Sequence, residues 1–315
     1  MSIHAPTLPK AFVWRRLHSF TGLWLVGFLI IHLVSNSQAA LFFGDDGSGF
    51  ISAANSIKGL PYLPAIEIGL LAVPFFIHIW WGIQYLLTGK FNSYRTDGTR
   101  PSLPEYPRNH AYTWQRITSW ILLVLIVAHV IQMRFLEEPI MAQKGSEKDY
   151  MVRVNSDPGI YSLSERLGVT LYDAAQIEQQ RKLLVTKPPT LEDNQAALIK
   201  AQEEVQQREW VAALEERPLR ESQLIAVSKN FGTAELLMLR ETFKIPIMIV
   251  LYTVLVISAC FHAFNGLWTF CITWGITLSP SAQNGMRYIA TLFMFLIGFL
   301  GLAAVWGTYW INLKT

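Results

Sequence analysis

Charge is scarce in this 315-residue chain. Asp, Glu, Lys and Arg together make up 16% of it, against about 25% in an ordinary soluble domain. Cysteine is scarcer. Cys260 and Cys271 are the only two and form no C-x-x-C pair; two thiols cannot hold an iron–sulfur cluster alone, and they carry no message about redox compartment. P-loop, G-x-G-x-x-G, G-x-S-x-G and H-E-x-x-H spacings are all missing, so the chemistry of this chain uses none of those sites. No internal repeat or low-complexity tract appears, and nothing points to a nucleic-acid partner.

What is present is apolar, and it comes in blocks. Hydrophobic residues are 51% of the chain and aromatics 13%, with mean hydropathy +0.28. Five windows, Phe12–Asn36, Pro64–Thr88, Thr113–Phe135, Ile245–Phe270 and Met286–Asn312, are long enough to cross a bilayer, which takes about 20 residues. The first opens on Trp14-Arg15-Arg16-Leu17-His18. It is too long for a signal-peptide core and no small-residue cleavage site follows, so it reads as a retained helix. The fold class expected is an all-α integral membrane protein: an antiparallel five-helix bundle with a mostly helical insertion between helices three and four. Residues 1–136 hold three spans, 137–244 the soluble insertion and 245–315 two spans.

The segment Glu137–Lys244 holds 18 of the 23 acidic residues and 14 of the 26 basic ones. Long segments do not vote on orientation. Of the basic residues elsewhere, Lys10, Arg15, Arg16, Lys90, Arg95, Arg100, Arg108, Arg116 and Arg287 fall on one side of the membrane, and only Lys58, Arg134 and Lys314 on the other. The positive-inside rule then puts the N-terminus in the cytoplasm, and the C-terminus and the insertion outside. Within the insertion, Asp173 can cap a helix and Pro188-Pro189 breaks it. Thr190-Leu191-Glu192-Asp193 has the form of a capping box opening a helix to about Glu216, and Thr233-Ala234-Glu235 starts a third piece.

His4 and His110 lie in polar flanks, but His18, His32, His78, His129 and His262 lie in apolar spans. Ionisable residues there are a functional signal. Proton relays mix carboxylates with histidine, and only Glu67 is available. Counting depth from the inner end, His32 and His129 are about 20 and 16 residues deep, while His78 and His262 lie about 9 or 10 residues deep, which separates two levels by ~12 Å. Two histidine pairs on facing helices at two depths suit two bis-histidine haems, each imidazole giving an axial nitrogen. Gly82 and Gly266 follow His78 and His262 by four residues, on the same helix face, where a missing side chain leaves room for a flat macrocycle. His18, also followed by Gly22, reads with Arg15, Arg16 and Ser19 as an inner-surface group that contacts propionates of the inner haem or faces a soluble partner.

Arg15-Arg16-Leu17-His18-Ser19, His32-Leu33-Val34, Gln115-Arg116-Ile117-Thr118 before His129, and Phe261-His262-Ala263-Phe264-Asn265-Gly266-Leu267-Trp268 through Thr277 resemble the dihaem cytochrome b anchor of succinate dehydrogenase and fumarate reductase complexes. The resemblance covers all five spans, roughly 200 residues. It implies a single five-helix subunit with two haem b groups, held by His78 with His262 nearer the cytoplasm and His32 with His129 nearer the outside. It further implies a flavoprotein and an iron–sulfur subunit as partners, a membrane quinone, usually menaquinone, as acceptor, and a bacterial cytoplasmic membrane; a higher oligomer of the complex is compatible with it. The basic stretch Lys90–Arg116 and the Arg15–Ser19 corner are the expected docking region for the iron–sulfur subunit. Glu67 is the expected proton carrier at an outer quinone site, and Asn36 and Arg134 the expected contacts of the outer-haem propionates. One departure stands out: members of this family join spans three and four by a short loop, where this chain carries about 100 residues. Two rivals stay open. A haem b anchor of another respiratory dehydrogenase would share two-level histidines but not the motif around His262, and a metal-ion transporter would add intramembrane carboxylates.

Overall fold

The computed structural model describes residues 8–41, 44–90, 92–95, 97–98, 102–185 and 195–310. His4, Arg100, Lys314, the Pro188-Pro189 break, the Thr190–Asp193 capping box and the last residues of the fifth window lie outside the described residues.

Five helices are long and apolar enough to cross a membrane: Lys10–Ser37, Leu63–Thr88, Pro107–Leu136, Pro246–Thr273 and Pro280–Trp310, spans one to five below. They match the five apolar windows closely, and four of them begin before their windows do. Proline explains this. Pro107, Pro246 and Pro280 open their helices and Pro64 is second in span two. A fixed φ suits the first turn, and the missing N–H would have had no helical partner there. Span three thereby takes in Arg108, Asn109 and His110 before its apolar stretch begins. Phe76, Val124 and Leu292 are each more than 60% exposed, a disposition that hydrocarbon tolerates and water does not. Three spans contain a π-helical turn: Glu67–Ala72 at the start of span two, Ile131–Leu136 at the end of span three and Ala303–Gly307 near the end of span five.

The chain divides into two compact units. The first comprises Met1–Asn36, Pro61–His129 and Val250–Leu302, so far as these are described, and is the helical membrane unit. Small residues set its close approaches. A Cβ at Gly301 would stand 2.7 Å from Val256 Cγ1, and one at Gly22 would stand 2.9 Å from His78 Cε1.

The second unit comprises Ser37–Leu60, Val130–Ile249 and Ala303–Thr315. It holds a feature that the sequence reading did not anticipate, a four-stranded antiparallel sheet in the order β1-β2-β4-β3, with β1 Ile140–Lys144, β2 Glu147–Asn155, β3 Thr170–Tyr172 and β4 Gln223–Ser228. Helices still dominate the segment. Met151, Ile225 and Val227 point to one face, against Ile177 of helix Ala174–Val185 and Trp210, Val211 and Leu214 of helix Gln195–Glu215. Val152, Val154, Leu224 and Ala226 alternate with them onto the other face, against Ile160 of helix Pro158–Leu167 and Ala234, Leu237 and Met238 of helix Phe231–Thr242. Side chains of a strand alternate between faces, so β4, covered on both, is apolar along nearly its whole length.

Asp173 caps its helix as expected: its carboxylate accepts from the Gln176 N–H at 2.7 Å while Gln176 Oε1 accepts from the Asp173 N–H at 2.9 Å. Helix Ser48–Lys58, which lies between spans one and two in the chain, packs Phe50 and Ala54 on Leu236. Gly232 is required at that contact because a Cβ there would stand 2.4 Å from the Ile51 carbonyl oxygen.

Glu235 is largely buried near Glu138, Lys58 and Arg134. Burial, reinforced by Glu138 and opposed by Lys58 and Arg134, raises its pKa from 4.5 to about 7. A carboxyl whose folded pKa lies above its unfolded value favours the fold while protonated, and loses that contribution as pH rises through the interval. Hydrogen-exchange protection of β4 and helix Phe231–Thr242 in the full chain, corrected for intrinsic rates, is expected to fall between pH 4.5 and 7 in the wild type and to stay flatter in Glu235→Gln.

Candidate functional site

Span one supplies His18 and His32, and spans two, three and four supply His78, His129 and His262. The structure gathers these five imidazoles, all in the membrane unit, into two groups. His32 and His129 have ring centroids 6.1 Å apart with planes at 73°. His78 and His262 have centroids 6.2 Å apart with planes at 81°. These are the couples that depth counting brings together. His18 stacks on His78, with centroids 4.1 Å apart and planes at 12°, and Gly22 lets spans one and two close on each other there.

The Nδ1 atoms are held. His78 Nδ1 lies 3.1 Å from the His18 carbonyl oxygen, and a carbonyl can only accept, so this nitrogen carries the hydrogen. Ser119 Oγ donates its hydrogen to the Gln115 carbonyl at 2.6 Å and lies 3.4 Å from His262 Nδ1, which therefore donates to it. His129 Nδ1 meets the Tyr252 hydroxyl at 3.1 Å. Asn36 Nδ2 donates to the His32 carbonyl at 2.8 Å and lies 3.4 Å from His32 Nδ1. No described residue hydrogen-bonds the Nε2 of any of the four. In His78 and His262 the remaining nitrogen is thus a bare lone pair in an apolar interior, which suits a metal ligand.

The spacing suits one too. Two imidazoles that share a metal through bonds of about 2 Å have centroids about 6 Å apart, and both couples meet that condition. Among the described residues no group of three or more His, Cys, Asp or Glu converges as a metal site. At each level one couple has the separation that a haem iron with two axial places requires. The residues present fit haem.

Gln115, Ser119, Asn265 and Tyr252 were not picked out by the sequence reading as site residues. Gln115 Nε2 donates to the His262 carbonyl at 3.1 Å, and Asn265 Nδ2 donates to Gln115 Oε1 at 2.7 Å. Two of the four stretches that carry the family resemblance are therefore joined at the level of His262. A polar side chain within an apolar span was the available signal. A Cβ at Gly266 would stand 3.8 Å from Gln115 Nε2 and one at Gly82 would stand 3.7 Å from His18 Cε1, so Gly82 faces an imidazole. Ser19 accepts from Trp274 Nε1 at 3.3 Å, Arg16 donates to the Thr273 carbonyl, and Arg15 is exposed. Glu67 is half-buried on the π-helical turn of span two. Arg134, in the second unit, pairs with Glu138, which Lys58 also reaches at 3.1 Å.

No family model and no solved structure matches the chain. A curated protein does. Over 297 residues the chain is 26% identical to the succinate dehydrogenase cytochrome b558 subunit of Bacillus subtilis (strain 168), covering 94% of this chain and 96% of the relative. The chain is thus similar along nearly its whole length to one succinate dehydrogenase cytochrome b subunit. The five long apolar helices are those of a membrane protein.

Gln115 and Asn265 are expected to act as one unit. Hydrogen bonds between membrane helices contribute about 0.6 kcal/mol on average and up to ~1.7. A double-mutant cycle of Gln115→Ala and Asn265→Ala, read by unfolding in detergent, should give a coupling of about 1 kcal/mol.

Proposed function

We propose that the chain is the membrane cytochrome b subunit of a succinate:quinone oxidoreductase, linking an iron–sulfur subunit to a membrane quinone, menaquinone by the family resemblance. The observation that carries this is the pair of histidine couples at 6.1 and 6.2 Å. His78 and His262 hold the inner haem b, and His32 and His129 the outer one. Haem b, when bound, supplies one-electron transfer at each level. Neither a flavin nor an iron–sulfur cluster has a site in this chain's motifs, so dicarboxylate chemistry belongs to the flavoprotein partner.

The chain's own residues have three tasks in this reading. Ser119 and Tyr252 hold the Nδ1 atoms of His262 and His129, and Gln115 with Asn265 ties span three to the backbone at His262. The apolar spans exclude water from both levels. Glu67 exchanges a proton at its carboxylate oxygen with the outer quinone, while Asn36 and Arg134 meet outer-haem propionates. The N-terminus is cytoplasmic, and the C-terminus and the 137–244 segment are outside. The basic face Lys90–Arg116 and Arg15–Ser19 docks the iron–sulfur subunit.

Reduced-minus-oxidised spectra test the ligand set. The wild type is expected to show two b-type haems and to co-purify with a succinate-oxidising flavoprotein, and each of the His32, His78, His129 and His262→Met variants to lose one haem. The same haem should be lost by both members of a couple. A wild type without haem, or losses that couple His32 with His78, would overturn the assignment. For Glu67, quinone reduction by Glu67→Gln with both haems retained is expected to drop at least tenfold; unchanged turnover removes the role.

A further inference from the structure

Spans one and two carry the same short motif, His18 with Gly22 and His78 with Gly82, and the structure interlocks the two copies. The rings stack at 4.1 Å and 12°. Each Nδ1 lies 3.1 Å from the backbone carbonyl of the other histidine. Each glycine faces the opposite ring: a Cβ at Gly22 would crowd His78 Cε1 at 2.9 Å, and one at Gly82 would touch His18 Cε1 at 3.7 Å. Tyr85 closes the stack edge-on to His18, with centroids 5.4 Å apart and planes at 73°.

His78 differs from its neighbours in one respect. His262 has Ser119 at its Nδ1, and His129 has Tyr252. The Nδ1 of His78 has only a peptide carbonyl, and that carbonyl belongs to the residue whose ring covers its face. The χ2 torsion of histidine is broad, so one hydrogen bond leaves the ring free to tilt about it. A parallel ring stacked on one face removes that freedom. A phenyl ring at position 18 could stack as well but could not donate to the His78 carbonyl, and that second bond ties the stacked ring to the backbone of span two.

We propose that His18 is a positioning residue for the inner haem: stacked on His78 and bonded to its carbonyl, it fixes the plane and tautomer in which His78 presents Nε2 to the iron. This rests on the reading of His78 and His262 as axial ligands. His18 touches the ligand and not the iron. Groups that hold a ligating imidazole from behind set its basicity and orientation, so their removal registers in the properties of the bound haem.

The test uses the intact complex and two variants. His18→Phe keeps a ring and drops the N–H; His18→Ala drops both. The readouts are the midpoint potential and the low-spin EPR signal of each haem, the latter sensitive to the angle between imidazole planes. The expected result is that both haems remain in His18→Phe, with the potential and EPR signal of the inner haem displaced, further displaced in His18→Ala, and those of the outer haem unchanged. Loss of the inner haem alone from His18→Ala and from His78→Met alike also supports the role. An inner haem unaltered in His18→Ala overturns it. So does an inner haem lost from both His18 variants yet kept in His78→Met, which would make His18 the ligand. Failure of the underlying reading is distinguishable, because His78→Met and His262→Met would then both keep two haems whatever the state of position 18.

Discussion

A neutral imidazole in an apolar interior has one N–H in need of an acceptor and one lone pair in need of a donor or a metal. The membrane unit meets the first need with partners drawn from several spans. Peptide carbonyls serve His18 and His78, and Ser119 serves His262; Tyr252 and Asn36 stand beside the Nδ1 of His129 and His32. These partners sit on neighbouring helices or one turn along the same helix, so satisfying the rings also fixes which spans touch. Glycine then decides how close they come, as Gly22 does beneath His78. Two couples of imidazoles with ring centroids about 6 Å apart, and an Nε2 lone pair left on His78 and His262, are what this arrangement offers to a cofactor.

The spans were legible because five apolar runs separated by polar segments leave few alternatives in a chain of this composition. Their starts were not, because proline at a first turn recruits polar residues that hydropathy assigns to loops, as at Pro107-Arg108-Asn109-His110. The histidine couples were legible through depth, a single coordinate. What depth cannot show is azimuth. His18 and His78 differ by only a few residues in depth, and nothing in a residue count says that their rings overlap. The same blindness hid Gln115 and Asn265 as partners, although both stand out as amides within apolar spans.

The 137–244 segment shows the opposite case. Its helices announce themselves through Asp173 and through the run ending at Glu215, but its sheet does not. A strand buried on both faces lacks the alternation by which a strand is read, and Leu224-Ile225-Ala226-Val227 is short enough to pass for part of a helix. Register also comes from afar: β4 pairs with β2, which precedes it by some 70 residues. The segment therefore folds around a core of its own, built from both faces of one sheet and enlarged by Phe50 and Ala54 from another part of the chain.

A π-helical turn uses i→i+5 hydrogen bonds and so takes up one residue more than an α turn. One such turn, Glu67–Ala72, separates Glu67 from His78 in span two. Eleven positions at 3.6 per turn would bring these two side chains nearly above one another; with the additional residue the lower half of the span is rotated relative to the upper by roughly a quarter of a revolution. A helical wheel drawn through span two without that slip therefore aims Glu67 in the wrong direction.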